Sequence, residues 1–219
     1  MRILVVGAGA VGGYFGGRLL EAGRDVTFPV RQGRARELAS GGLQIRSSFG
    51  DVGLPAPPTV LAEHIAETFD LVLLSCKAYD LADAIRALAP AVGPDTAIVP
   101  LLNGIRHFDL LDQEFGAAHV LGGRCLIAAT LNGQREIVHL NRGHMLTFGE
   151  RDGSLSERVR AIENVMAGAL FDHRASPHIM LDLWEKWTFL ASLAGATCLF
   201  RGSIGEIQAC RGAASSCCN

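Results

Sequence analysis

The sequence predicts an α/β protein: a parallel sheet covered by helices over residues 1–165, then the start of an all-helical part over residues 166–219. Three observations carry this. Short apolar runs alternate with segments of helical spacing through most of the chain, the pattern of strands joined by crossover helices. The first run, "RILVV", enters a glycine-rich turn, "GAGAVGG", that hands over to a helix. After about residue 154 the alternation stops, and "SLSERVRAIENVMAGAL" and "SPHIMLDLWEKWTFLASLAGATCLF" both read as helices.

In chain order, "RILVVGAG" reads as a buried parallel strand because its apolar run is uninterrupted. "AVGGYFGGRLLEAG" reads as the following helix, stopped by Gly23. "DVTFPV" is a second strand, and Pro29, which has no N–H, places it at a sheet edge or strand end. "RARELASGG" is helical up to its glycine pair, and "GLQIRSSFGDVGLPAPP" reads as strands and turns inserted at the surface. "FDLVLLSCKA" is the next buried strand, with Asp70 at its mouth and Lys77 at its exit. Leu81, Ala84, Ile85 and Leu88 give "DLADAIRALAPAV" an apolar helical face. "DTAIVPLLNG" is a strand and "HFDLLDQEFG" a helix; the stretch from His119 to Glu150 reads as several strands, with "LNGQ" as a hairpin turn. Ser176 followed by Pro177 marks a helix start, a capping hydroxyl and then a proline in the first turn. The last residues, "CRGAASSCCN", have neither helical periodicity nor a cap.

A length of 219 residues allows one or two domains with a sizeable core, and 49% hydrophobic against 19% charged residues excludes a disordered chain. A formal net charge of -2 gives no general attraction to nucleic acid or to an anionic membrane, so neither is expected as a partner. "MRILVV" is too short an apolar run for a signal peptide, and no uninterrupted apolar stretch of about 18 residues is present to span a membrane. The six cysteines form no C-x-x-C pair and no metal-ligand spacing with histidine, so no metal is expected and they read as reduced thiols of a cytoplasmic protein.

Gly7, Ala8, Gly9, Ala10, Val11 and Gly12 form G-x-G-x-x-G between a strand and a helix. The first glycine permits a sharp turn, the second admits a pyrophosphate to the backbone, and the third permits close helix–strand contact. The helix start then offers free N–H groups to the phosphates. The domain is therefore expected to be a Rossmann-type dinucleotide-binding domain. An NAD-binding loop is followed by an acidic residue at the end of the next strand, whereas this chain has Arg31 there, with Arg34 and Arg36 close behind. A guanidinium forks onto a 2′-phosphate, so NADPH is favoured over NADH.

"GAGAVGGYFGGRL", "LLSCKAYD", "LLNG" and "WEKWTFLASLAGATCL" occur in this order over residues 1–207. Together they resemble the ketopantoate reductase (2-dehydropantoate 2-reductase) family. That resemblance implies NADPH-dependent reduction of the 2-oxo acid ketopantoate on the route to pantothenate, in a cleft between a Rossmann-type domain and a helical domain. It implies that Lys186 is the catalytic lysine, donating the proton as hydride arrives at the ketone. It also implies that Lys77 and Asn103 lie near cofactor and substrate, where they position both.

Two departures from the family pattern stand out. Members that use ketopantoate commonly carry asparagines four and eight residues after the catalytic lysine, where this chain has Leu190 and Ala194; a different or bulkier 2-oxo acid is then expected. Members also continue with further helices that contribute a substrate-binding serine and glutamate, so the chain reads as truncated in its helical domain. The apolar helix bearing Trp184, Trp187 and Leu190 would then be covered by self-association, and a homo-oligomer is expected. An NADPH-binding remnant without turnover is the alternative. A dehydrogenase of amino-acid-derived 2-oxo acids is a remoter one, against which "SCKAYD" and "LLNG" count.

Overall fold

The computed structural model of the chain describes residues 1–209. Its elements in chain order are β1 (Arg2–Val6), α1 (Ala10–Glu21), β2 (Asp25–Val30), α2 (Gln32–Gly41), β3 (Leu43–Arg46), β4 (Val52–Leu54), β5 (Thr59–Leu61), β6 (Phe69–Leu74), α3 (Leu81–Leu88), β7 (Val92–Pro100), α4 (His107–Phe115), β8 (Gly122–Leu131), β9 (Ile137–Gly149), α5 (Glu157–Met166), β10 (Asp172–Ala175), α6 (Ile179–Phe200) and α7 (Ile204–Ala209). The tail reading from Cys210 onward lies outside the described residues.

Five strands form an all-parallel sheet in the order β5-β2-β1-β6-β7. The chain winds outward from β1 in both directions, which opens a crevice beyond the ends of β1 and β6. β1 is apolar throughout because both of its faces are covered. Ile3 and Val5 enter one buried cluster, with α1 and the second sheet, while Leu4 and Val6 enter another, with α3 and α4. Of the two placements that Pro29 allows, the strand end holds and the sheet edge does not: Pro29 is the last residue but one of β2, which β1 flanks on one side and β5 on the other. The proline is tolerated because pairing with β1 stops at Thr27, and the neighbouring Phe28 N–H already serves Pro58 O at 2.9 Å on the β5 side.

The second sheet corrects the reading of residues 43–54 as a surface insertion. β3 and β4 pair with each other, β3 runs parallel to β9, and Leu43, Ile45 and Val52 are buried. The residues from His119 to Glu150 yield two long strands; β8 lies along one edge of β9, and β3 and β10 share the other. Sheet pairing thus extends to Ala175, past the point where helices alone were expected. α1 is clamped between the sheets, which explains "GGYFGG". A Cβ on Gly16 would lie 2.7 Å from the Phe28 ring, and one on Gly13 would lie 2.6 Å from Ile137 Cδ1. Arg18, fully buried on the same helix, is matched by Glu21 at 2.8 Å and by Gly50 O at 2.6 Å.

α6 begins at Ile179, with His178 in the cap position. Ser176 therefore does not cap it as expected. Its hydroxyl instead accepts the His178 N–H at 3.1 Å and donates to Asp182 at 2.5 Å. Only Ile179 and Leu183 of this helix are buried, while Leu181, Trp184, Trp187 and Phe189 are exposed. No helix among the described residues is long and apolar enough to cross a membrane.

His107, in the first turn of α4, is 4% exposed, and its Nε2 has no partner among the described residues. Burial pushes its pKa down from 6.5 to about 4. The unfolded chain therefore takes up a proton that the folded chain refuses, so stability present above pH 6.5 is lost as pH falls toward 4, on the order of 3 kcal/mol in full. Denaturant titrations across that window are expected to show a shallower acid-side loss for His107→Leu. An unchanged slope would exclude this histidine as the cause.

Candidate functional site

The glycine turn joins β1 to α1 at the crevice. Gly7 has φ +101°, a conformation costly for any residue with a Cβ. A Cβ on Gly12 would lie 2.1 Å from Ser75 Oγ and 2.3 Å from Gly7 O, so this glycine is required for contact between α1 and the end of β6. The Ser75 hydroxyl bridges to Val6 O at 2.9 Å and Gly7 O at 3.0 Å, tying the two strand ends together. Gly9 differs: nothing lies within 4 Å of where its Cβ would stand. That open space sits at the start of α1, which has no side-chain cap and no acidic residue in its first turn. These features fit a dinucleotide pyrophosphate, with Gly7 shaping the turn, Gly9 leaving room, and the helix N–H groups supplying donors.

A cleft of about 1730 Å³ extends from this turn. It is lined by Gly7, Ala8, Gly9, Ala10 and Val11, and also by Arg31, Lys77, Asn103 and Lys186. Residues separated by more than 150 positions are thus brought to one cavity. Gly12 supports it from behind. Arg31 follows β2 and is the cap residue of α2; it is 79% exposed and stands 3.7 Å from the Asp83 carboxylate on α3. Lys77 and Asn103, at the exits of β6 and β7, are both exposed. Leu190 lines the far end, and Ala194 is one turn beyond it.

Lys186 is held in a defined position at the cleft. Its Nζ donates to the Cys125 carbonyl at 2.7 Å. Burial, assisted by the nearby Arg124 guanidinium, holds its pKa below the ordinary lysine value. The helix is fixed one turn earlier by Asp182, which accepts from Arg124 at 3.3 Å, from Arg174 at 3.0 Å and from Ser176. An ammonium set this way has donors left for a substrate oxygen. Cys125, directly beneath, is a buried thiol whose pKa is raised by burial; that of Cys76 is pushed up to about 11 by burial and by Asp80. Neither is a thiolate nucleophile at neutral pH.

Some lining residues gave no sequence signal. Cys125 contributes a backbone carbonyl, which any residue carries. Asn141 stands in a bulge of β9, where residues 140–143 loop out opposite Ala128; its Oδ1 accepts the Ala128 N–H at 2.9 Å and holds the β8 wall. Arg135 reaches the cleft from the β8–β9 turn. Only the three-dimensional pairing reveals the bulge and the turn's position.

The family model described as Ketopantoate reductase PanE/ApbA matches residues 3–153. The chain is 43% identical over 209 residues to the uncharacterized oxidoreductase YkpB of Bacillus subtilis, covering 95% of this chain and 68% of that protein. It is 27% identical over 207 residues to 2-dehydropantoate 2-reductase of Mesorhizobium japonicum, covering 85% of this chain and 63% of that one. The solved structure of 2-dehydropantoate 2-reductase from Geobacter metallireducens superposes with a TM-score of 0.88 at 28% identity, over 97% of this chain and 70% of that one. The chain therefore spans about two thirds of the length of the relatives it matches.

Proposed function

Because this chain belongs to the ketopantoate reductase family, we propose that it acts as an NADPH-dependent 2-oxo acid reductase, of the type that converts ketopantoate to pantoate in pantothenate biosynthesis. The observation that carries this reading is Lys186, held on the Cys125 carbonyl in the same cleft as the glycine turn. Bound NADPH would supply the hydride. Lys186 donates a hydrogen bond to the ketone oxygen, stabilises the negative charge that develops there, and transfers its proton to the alkoxide. Solvent then reprotonates the amine. Lys77 and Asn103 orient the cofactor and the substrate, and Arg31 pairs with the 2′-phosphate once it leaves Asp83.

Leu190 in the lining favours an acid with an apolar side chain over one that needs an amide partner. The exposed Leu181, Trp184 and Phe189 favour self-association, which covers apolar surface.

One sample tests the reading: NADPH and NADH binding by fluorescence, then NADPH oxidation with ketopantoate and a panel of 2-oxo acids, with light scattering for the assembly state. Tighter binding of NADPH together with turnover of one acid is expected. Binding without turnover on the whole panel would make the chain a cofactor-binding module.

A further inference from the structure

Arg135 is not a residue that the sequence connects to the cofactor, being about a hundred positions from Arg31. It lies in the turn between β8 and β9 with φ +65°, one of two described residues other than glycine in the left-handed region. Side chains such as arginine rarely take this conformation. The turn is braced around it. Asn132 Oδ1 accepts the N–H groups of Gln134 at 3.0 Å and Glu136 at 2.9 Å, Asn132 Nδ2 donates to Glu136 at 2.8 Å, and Glu136 is in turn held by Arg46 at 2.7 Å. The backbone thereby aims Arg135 across the cleft toward α2.

There its Nε donates to Glu37 Oε2 at 3.1 Å, and the same oxygen already accepts Arg34 Nη1 at 2.9 Å. Two guanidiniums thus sit side by side on one carboxylate oxygen, which leaves an excess positive charge. Arg34 Nε is buried and has no partner among the described residues. Arg31, Arg34 and Arg135 all line the cleft at the end of β2, where the adenosine ribose of a dinucleotide is held. Besides Glu37, the cleft is lined by the carboxylates Glu63, Asp80 and Asp83; Asp83 is shared between Arg31 and Arg86, and Glu136, next to Arg135, is taken by Arg46. A phosphate dianion supplies the acceptors that these arginines lack.

We propose that Arg135 is a cofactor-discriminating residue that closes over the 2′-phosphate of NADPH together with Arg31 and Arg34. This rests on the NADPH reading above and adds to it a ligand from the second sheet. The probe is adenosine 2′,5′-bisphosphate against 5′-AMP, titrated calorimetrically into the full chain. Wild type is expected to prefer the bisphosphate. Arg135→Gly and Arg135→Ala are expected to weaken the bisphosphate about tenfold and leave 5′-AMP unchanged.

The glycine variant guards against misfolding, since glycine suits φ +65° and its melting temperature is expected to be equal or higher. Arg142→Ala, exposed on the β9 bulge and not itself in the cleft lining, is expected to change neither ligand. Weakened bisphosphate binding in Arg31→Ala but not in either Arg135 variant would overturn the role of Arg135 alone. A wild type that binds the two nucleotides equally would overturn the NADPH reading and this proposal together.

Discussion

Lys186→Met is expected to lower the rate of NADPH oxidation by roughly two to four orders of magnitude while changing NADPH affinity little. Methionine keeps the length and apolar stem of the lysine, so α6 stays anchored through Asp182 and Leu183. In the proposed reaction, what is lost is the donor to the ketone oxygen. The pH dependence provides an independent check. Burial lowers the Lys186 pKa, so the ammonium that the proposed mechanism uses as donor is present below that value and is lost as pH rises through it. Turnover is therefore expected to fall on the alkaline side, earlier than an ordinary lysine would dictate. Steady-state rates of both proteins from neutral to alkaline pH measure this. Equal rates in the two proteins would remove Lys186 from the chemistry.

The second large effect separates two glycines of one motif. Gly12→Ala drives a methyl into Ser75 Oγ and the Gly7 carbonyl, and that carbonyl belongs to a turn already at φ +101° and cannot yield easily. Overpacking of this kind costs about 1–3 kcal/mol, and it would shift α1, whose free N–H groups face the cleft. Both melting temperature and NADPH affinity are expected to drop. Gly9→Ala meets nothing within 4 Å, and its φ of −93° suits alanine, so stability is expected to hold. Its methyl occupies the open space proposed for the pyrophosphate, and NADPH binding is expected to weaken about tenfold or more. Thermal melts with and without NADPH resolve the pair. A Gly9→Ala protein that binds NADPH normally would mean the open space is not used by phosphate.

Much of this was legible beforehand because it depends on local chemistry. The run "RILVV" had to be buried on both faces, and glycine at positions 7, 9 and 12 had to mark a tight turn before a helix. The segment 43–54 was misread because its strands become buried only by pairing with β9, about 90 residues later. Pro29 leaves a sheet edge and a strand end open, and pairing decides for the strand end: whether a missing N–H matters depends on which neighbour is still paired at that point. Ser176 stands two residues before the cap position, and its hydroxyl serves Asp182 as well as the His178 N–H.

The sequence by itself determined that a glycine turn would lead from a buried strand into a helix start, and that arginine replaces an acid at the end of β2. Both follow from residue type and near spacing, where backbone geometry leaves few choices. Tertiary structure alone decided that Lys186 is half-buried against a carbonyl instead of extending into water, and that Arg135 and Asn141 join the cleft. A lysine on an apolar helix can do either. The outcome depends on whether a distant strand presents an acceptor at 2.7 Å, and β8 does.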